Sequence, residues 1–350
     1  MKRIFFVILI FVFAVSINAA FLNRPDSDKV SIKWYTKELS DSRVYCIDEA
    51  GNEIHINSNE MTNFHSLTLE NLKSGQEYIY YVESYIGESR VYGSEGSFSM
   101  EDKEAFKFVI YGDSRSNFKN HKKICKGIAI SDPLLVINVG DLVFRDALIE
   151  DWADFYKSLD VLSSSFYYSA VGNHEMSANN YRKLLDLPEN ELYYSFQKGK
   201  VLFIVLNTNQ RFDRYSKQYL WLTDVLKNRN PEKTEFTIVV THHPPYSYSS
   251  HGDSYFLKLI LVPLFEEHNI DLVVSGHDHN YQRIEKGNIN YIVTGGGGAH
   301  VSSINADPDD DLVKGYAVHH YVVFDYSPGV IKAEVIDING DVIDSFSVTK

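Results

Sequence analysis

The stretch Leu272–Arg283, LVVSGHDHNYQR, decides the fold. A short, continuous apolar run ends at a glycine, and two imidazoles then flank a carboxylate at His277, Asp278 and His279. A strand with no polar alternation is buried on both faces, which places it inside an α/β architecture with helices on either side. In such sheets the chemistry gathers beyond the carboxyl ends of the strands.

Working outward, four further strand-like runs end in the same manner. FVIYG runs into Asp113-Ser114-Arg115, LLVINVG into Asp141, FYYSAVG into Asn173-His174-Glu175, and FTIVVT into His242-His243. Taken singly, each has an ordinary explanation. A Gly-Asp after a strand caps a helix, and a His-His pair can be a satisfied polar patch. Taken together, five successive tips offer carboxylate, amide and imidazole donors. Desolvating so many ionisable groups at one sheet edge is costly unless they share a cation. The donor types suit borderline divalent metals or iron rather than a thiolate zinc site. They are too many for a single ion and fit a pair about 3.5–4 Å apart.

The remainder of the chain divides in two. Between Phe21 and Met100, KVSIKW, SRVYCID, HSLTLENL, EYIYYVES and GSFSM alternate at period two between turn residues, which predicts an antiparallel sandwich. In LKSGQEYIYYV, a Leu, a small turn and Tyr78 at the start of a strand match the tyrosine corner of a fibronectin type III-like or Ig-like sandwich. Glu101–Lys107 reads as a charged linker. From Phe108 onward apolar strands alternate with amphipathic helices, one of them marked by Leu148, Trp152, Phe155, Leu159 and Leu162. Near the C-terminus, Asn339-Gly340 between alternating runs predicts a hairpin.

The 350 residues carry a net charge of -13, so the global field excludes nucleic acid and anionic membrane as natural partners. An anionic substrate then needs a local positive centre. At the N-terminus, Lys2 and Arg3 precede an apolar run of about a dozen residues, Ile4–Val15, and small residues follow at Ser16, Ala19 and Ala20. That is the form of a secretory signal peptide over residues 1–20. The alternative is an uncleaved anchor, although the run is shorter than the roughly twenty residues a span requires. The expected location is secreted, periplasmic or extracellular, with no stable span after cleavage. Cys46 and Cys125 fall in different halves and read as free buried thiols.

The ordered set GDSR, GDLVF, GNHE, VVTHHPPYS and GHDHNYQR, followed by VTGGGGAH, resembles the metallophosphoesterases, specifically the purple acid phosphatase-like branch. The resemblance covers nearly the whole chain after residue 20. It implies two domains: an N-terminal all-β fibronectin type III-like sandwich over 21–100, then an α/β (αββα sandwich) calcineurin-like metallophosphoesterase domain over 105–350. It also implies that Asp141 bridges two metal ions, that Asp113 and His279 hold the first, and that Asn173, His242 and His277 hold the second. His174 and His243 would bind phosphate or protonate the leaving group, and Arg115 would contact a phosphate oxygen. His251 would rim the cleft, Tyr246–Ser250 would shape the leaving-group pocket, and Glu175 and Asp278 would support the ligands.

The chain departs from the purple enzymes at one position. Where they carry an iron-binding tyrosine three residues after the bridging aspartate, this sequence has Phe144. In other members a histidine stands where this sequence has Arg115. The expected ions are therefore divalent manganese, zinc or iron, not an Fe(III)-tyrosinate pair, and the first is expected to dissociate more readily. The implied reaction is hydrolysis of small-molecule phosphate monoesters through a metal-activated hydroxide. A phosphodiesterase with the same site, and a secreted binding or adhesion protein with a vestigial site, are the alternatives.

Overall fold

The structure is a computed structural model that describes residues 20–101, 103–307 and 311–350. The signal-peptide reading of residues 1–20 falls, except for Ala20, outside the described residues. No helix among the described residues is long and apolar enough to cross a membrane.

The first five strands pair antiparallel with one another: β1 (Phe21–Asp26), β2 (Lys29–Asp48), β3 (Glu53–Leu69), β4 (Glu77–Ile86) and β5 (Ser89–Ser99). The long β2 changes partners along its length. Its first half lies between β1 and the end of β3, and its second half between the start of β3 and β4. The period-two pattern explains the burial: Tyr78, Tyr80 and Val82 turn inward along β4. Trp34 is fully buried, stacks on His65 at 4.8 Å and donates its indole N–H to Ser84 Oγ at 3.0 Å. The Tyr78 hydroxyl accepts the Lys73 N–H at 2.9 Å while its ring stacks on Phe98 at 5.2 Å.

Two further sheets' worth of strands follow, interleaved with helices. The elements are β6 (Phe106–Tyr111), α1 (Phe118–Ile130), β7 (Leu135–Asn138), α2 (Ile149–Ser158), β8 (Phe166–Ser169), α3 (Asn179–Leu184), β9 (Tyr194–Lys198), β10 (Val201–Val205) and α4 (Lys217–Lys227). Then come β11 (Phe236–Val240), α5 (Tyr255–Ile260), α6 (Val262–Glu267), β12 (Leu272–Ser275), β13 (Tyr281–Lys286), β14 (Ile289–Thr294), β15 (Leu312–Tyr316), β16 (His320–Ser327), β17 (Val330–Asp337) and β18 (Val342–Thr349). One sheet runs β18-β17-β16-β6-β7-β8, with β6, β7 and β8 parallel. The other runs β15-β13-β14-β12-β11-β10-β9, with β10, β11, β12 and β14 parallel. The N-terminal strands continue the first sheet, because β1 lies parallel to β8 at Leu22–Phe166 and Asn23 Nδ2 donates to the Tyr167 carbonyl at 2.6 Å.

The two sheets pack face to face around one core, where the rings of Phe108 and Phe203 meet edge-on at 5.2 Å. On the second sheet Val201, Phe203 and Val205 face that core. Leu202 and Ile204 turn to the opposite layer with Leu222, Leu226 and Phe265 of α4 and α6. This is why the strands carry no polar alternation: both faces are covered. The helix read from Leu148 to Leu162 is α2 followed by a tight turn, Leu159–Val161, with Trp152, Phe155 and Leu159 buried. Asn339 and Gly340 sit in the β17–β18 turn, and both cysteines are free and buried.

Candidate metal centre

The parallel strands of both sheets deliver their carboxyl ends to one place. Asp113 follows β6, Asp141 follows β7, Asn173 follows β8, His242 follows β11, and His277 and His279 follow β12. Three of these residues have left-handed backbones: Asp113 at φ 57°, Asp141 at φ 55° and His277 at φ 68°. A side chain in that region costs about 1–2 kcal/mol, so the surroundings must hold it there. Neighbouring tips do so by bonding each other: Asp113 N–H donates to the Gly140 carbonyl at 3.0 Å, and Gly276 N–H to the His242 carbonyl at 3.0 Å. The glycines admit this close approach. A Cβ on Gly172 would lie 2.1 Å from Asp141 N, and one on Gly295 would lie 2.8 Å from Asp113 Oδ2.

The polar atoms converge in two groups. Ligand atoms of Asp113, Asp141 and His279 lie within 4.8 Å of one another, as do those of His242, His243 and His277. In the second group the His242 Nδ1–H donates to the Val139 carbonyl at 3.0 Å, which leaves Nε2 as a bare lone pair. That lone pair faces Asp141 Oδ1 at 3.3 Å and Asn173 Oδ1 at 3.0 Å. Asn173 Oδ1 also lies 3.0 Å from His277 Nδ1. The first group repeats the arrangement. His279 donates Nδ1–H to the His300 carbonyl at 2.8 Å, so its Nε2 lone pair faces Asp113 Oδ1 at 3.5 Å. Asp113 Oδ1 is buried and has no hydrogen-bond partner among the described residues. Twice, an imidazole lone pair faces a carboxylate oxygen, bare at His242 and also met by Arg115 Nη2–H at His279. A cation fits between lone pair and carboxylate in each case, and the backbone carbonyl on the far nitrogen is the support that metal-binding histidines use. The donors present therefore fit a metal pair.

Around these atoms stand the remaining candidates. Arg115 donates Nε–H to Asp141 Oδ2 at 3.1 Å and an Nη2–H to His279 Nε2 at 3.2 Å. His174 donates its backbone N–H to Asp141 Oδ1 at 3.0 Å and Nδ1–H to the Phe144 carbonyl at 2.7 Å, leaving Nε2 3.8 Å from Asp141 Oδ2. His243 pairs through Nδ1 with Thr208 Oγ1 at 2.8 Å, and its ring lies 4.5 Å from that of His277. The His251 ring lies tilted against that of His277 at 4.4 Å and is held by Asp278 Oδ1 at 2.8 Å. The buried Glu175 accepts the N–H groups of Asp141, Val143 and Gly172 at 3.0, 3.0 and 3.1 Å. The Phe144 ring is half exposed and lies beside His174 at 5.1 Å and under Arg115 at 5.8 Å. It offers no ligand atom.

Electrostatics follow from this crowding. Burial, and then repulsion from Asp141, push the Asp113 and Glu175 carboxyls well above the usual range. Burial opposes the charged form of Asp141 too, but His242, His174 and Arg115 beside it hold its carboxyl below the usual range. Burial lowers His242, lowers His243 and His279 to about 4, and, with the field of the other imidazoles, lowers His277 to about 2. These rings are neutral near pH 7, the form in which imidazole binds metal.

Sequence reasoning passed over Thr208, which anchors His243, and within Tyr246–Ser250 it did not find that Ser247 Oγ donates to Asp278 Oδ2 at 2.5 Å. A cue for Thr208 existed: VLFIVLNT is a sixth buried strand ending in polar residues.

Comparison with known proteins agrees with the geometry. The family model for calcineurin-like phosphoesterases matches residues 106–281, half of the chain. Probable inactive purple acid phosphatase 9 from Arabidopsis thaliana is 26% identical over 275 residues, 61% of this chain and 42% of that protein. Purple acid phosphatase 23 from the same plant is 27% identical over 243 residues, 55% of this chain and 53% of that protein. The chain thus spans about half the length of these curated relatives. The solved structure of purple acid phosphatase PPD1 from yellow lupin (Lupinus luteus) seeds superposes with a TM-score of 0.80 at 17% identity, covering 95% of this chain and 74% of that one, and so has the same fold. The chain belongs to the calcineurin-like phosphoesterase family, in its purple acid phosphatase-like branch.

Proposed function

We propose that this chain is an exported phosphoesterase that hydrolyses small-molecule phosphate monoesters at a centre of two divalent cations. One observation carries the reading: two neutral imidazoles, His242 and His279, each aim a lone pair at a carboxylate oxygen, 3.3 and 3.5 Å away. The order of the motifs and the family membership support it. In this proposal Asp113, Asp141 and His279 would hold one cation, and Asn173, His242 and His277, with Asp141 beside them, would hold the other. When bound, such cations would supply an activated water and positive charge for the phosphoryl oxygens.

The chain's own groups do the rest. Arg115 adds positive charge beside the phosphoryl oxygens, an interaction that strengthens as charge develops. His174, in its imidazolium form, would give a proton to the departing alkoxide, and the neutral His243 would hydrogen-bond a phosphoryl oxygen. The Nε2 of His174 is open to the site because Nδ1 is committed to Phe144. Phe144 supplies no phenolate, which supports divalent manganese, zinc or iron over ferric iron. We further assign residues 1–20 to a signal peptide, 21–100 to a fibronectin type III-like sandwich and 105–350 to the catalytic domain. The Lys73–Tyr78 hydrogen bond supports the second of these assignments.

The test is metal analysis of the purified chain together with hydrolysis of p-nitrophenyl phosphate and bis-p-nitrophenyl phosphate. The expected result is bound divalent metal, with turnover of the monoester exceeding that of the diester. Asp141→Ala should lose metal and nearly all turnover. A protein that takes up no metal, or an Asp141→Ala variant with normal turnover, overturns the proposal.

A further inference from the structure

We propose that Arg115 is a built-in competitor for the first of the two cation positions, so that this chain holds one ion tightly and a second only weakly. This rests on the phosphoesterase reading and deepens it. The two positions are not equal. In the second, His242 Nε2 and His277 Nδ1 each lie 3.0 Å from Asn173 Oδ1, and among the described residues no protein cation hydrogen-bonds to these atoms. In the first, the guanidinium already meets two of the three donors: Nε–H on Asp141 Oδ2 at 3.1 Å and Nη2–H on His279 Nε2 at 3.2 Å. It is seated rather than loose. Its side chain is 17% exposed, Nη1 donates to Ser116 Oγ at 3.3 Å, and the Phe144 ring lies 5.8 Å away.

An arginine does not deprotonate near neutral pH, so the competition cannot be relieved by titration. A first ion must displace the guanidinium from both acceptors and then accept a positive neighbour. Only Asp113 Oδ1 is left uncommitted for it. Two charge-assisted hydrogen bonds of this kind correspond to roughly a hundredfold or more in affinity.

The experiment is a calorimetric titration of the chelator-treated full chain with Mn(II), paired with the Mn(II) electron spin resonance signal. Wild type should take one ion tightly and a second at least about tenfold more weakly, with the six-line signal of an isolated ion at one equivalent. Arg115→Ala should bring the second ion to within a few-fold of the first and produce a coupled two-ion signal at two equivalents. Arg115→Gln, which removes the charge but keeps a donor, should do the same and serves if the alanine variant does not fold. Two equally tight ions in wild type, or neutral variants that leave the second ion weak, overturn the inference while the phosphoesterase reading stands. No ion in any variant overturns both.

Discussion

His242 and Val139 fix the state of the centre between them. The Val139 carbonyl, 3.0 Å from Nδ1, can only accept, so the imidazole keeps its proton there and points an unprotonated Nε2 at Asp141 and Asn173. The fold therefore holds a repulsive cluster that a cation relieves. Chelation should lower the melting temperature, and returning Mn(II) or Zn(II) should restore it. At an ion concentration a hundredfold above the dissociation constant the difference is about 2.7 kcal/mol. A melting temperature indifferent to chelator and to added ion would count against any cation at these atoms.

Glu175 reaches no candidate cation, yet it determines where Asp141 sits. Its two oxygens accept three backbone N–H groups, from Asp141, Val143 and Gly172. Glu175→Gln removes the charge and turns an amide NH2 toward at least one of those donors. Leaving a buried donor unpaired costs about 1–3 kcal/mol. Denaturant unfolding should show that loss in a chain that still folds. Turnover should fall at least tenfold as the Asp141 loop shifts. Full stability with full turnover would show that the loop does not depend on this carboxylate.

How much of this was readable in the sequence differs by level. The strands that deliver the site were visible because each is a short apolar run ending in Gly or Thr and then a donor residue, as at Val274-Ser275-Gly276-His277. Such a pattern is local. The pairing of β1 with β8 was not visible, because one register pair, Leu22–Phe166, leaves no periodic trace. Nor was the placement of Arg115: its type and position were plain, but its contact with His279 joins residues 164 apart. The left-handed backbones of Asp113, Asp141 and His277 were hidden too: Asp and His are enriched at positive φ, but so few non-glycine residues adopt it that type alone does not mark the position. His251 gave only a weak sequence cue, and its ring contact with His277 depends on how the Tyr246–Asp253 loop folds back.

Tyr78 offers a test of the N-terminal strands by themselves. Its hydroxyl accepts the Lys73 N–H at 2.9 Å and donates to Gln76 Oε1 at 3.1 Å, closing the turn before β4. Tyr78→Phe keeps the stack on Phe98 and deletes only the hydroxyl. The expected loss is about 1 kcal/mol, read by denaturant unfolding, with the metal content of the chain unchanged. A coincident loss of metal would mean that the corner supports the distant site as well.

Phe144 should leave its mark on the spectrum. No tyrosine oxygen stands where a phenolate would meet the first cation, and the Phe144 ring packs beside His174 and Arg115 instead. The purified, metal-loaded protein should be colourless, without the intense visible band of a ferric tyrosinate. A purple or violet preparation would contradict the divalent assignment.

Acid sensitivity should come in part from buried histidines that are not candidate ligands. His65, His121 and His320 are each 0–1% exposed, and burial holds them neutral, lowered to about 4, about 3 and about 4. Unfolded, each titrates near 6.5. Between that value and the folded ones the unfolded chain binds more protons, so stability is present above about pH 6.5 and is lost as pH falls. Each ring contributes up to about 1.4 kcal/mol per pH unit in that window. The imidazoles of the metal centre add to the slope, so the informative quantity is a difference between variants. His121 Nδ1 has no partner among the described residues, and the ring is enclosed by Tyr111, Phe155 and Cys125. In chelator-treated protein, His121→Leu should therefore reduce the slope of unfolding free energy between pH 6 and 4.5 by one proton. An unchanged slope would mean that His121 is already protonated in the fold, or that the folded chain opens to it well above the pH assigned here.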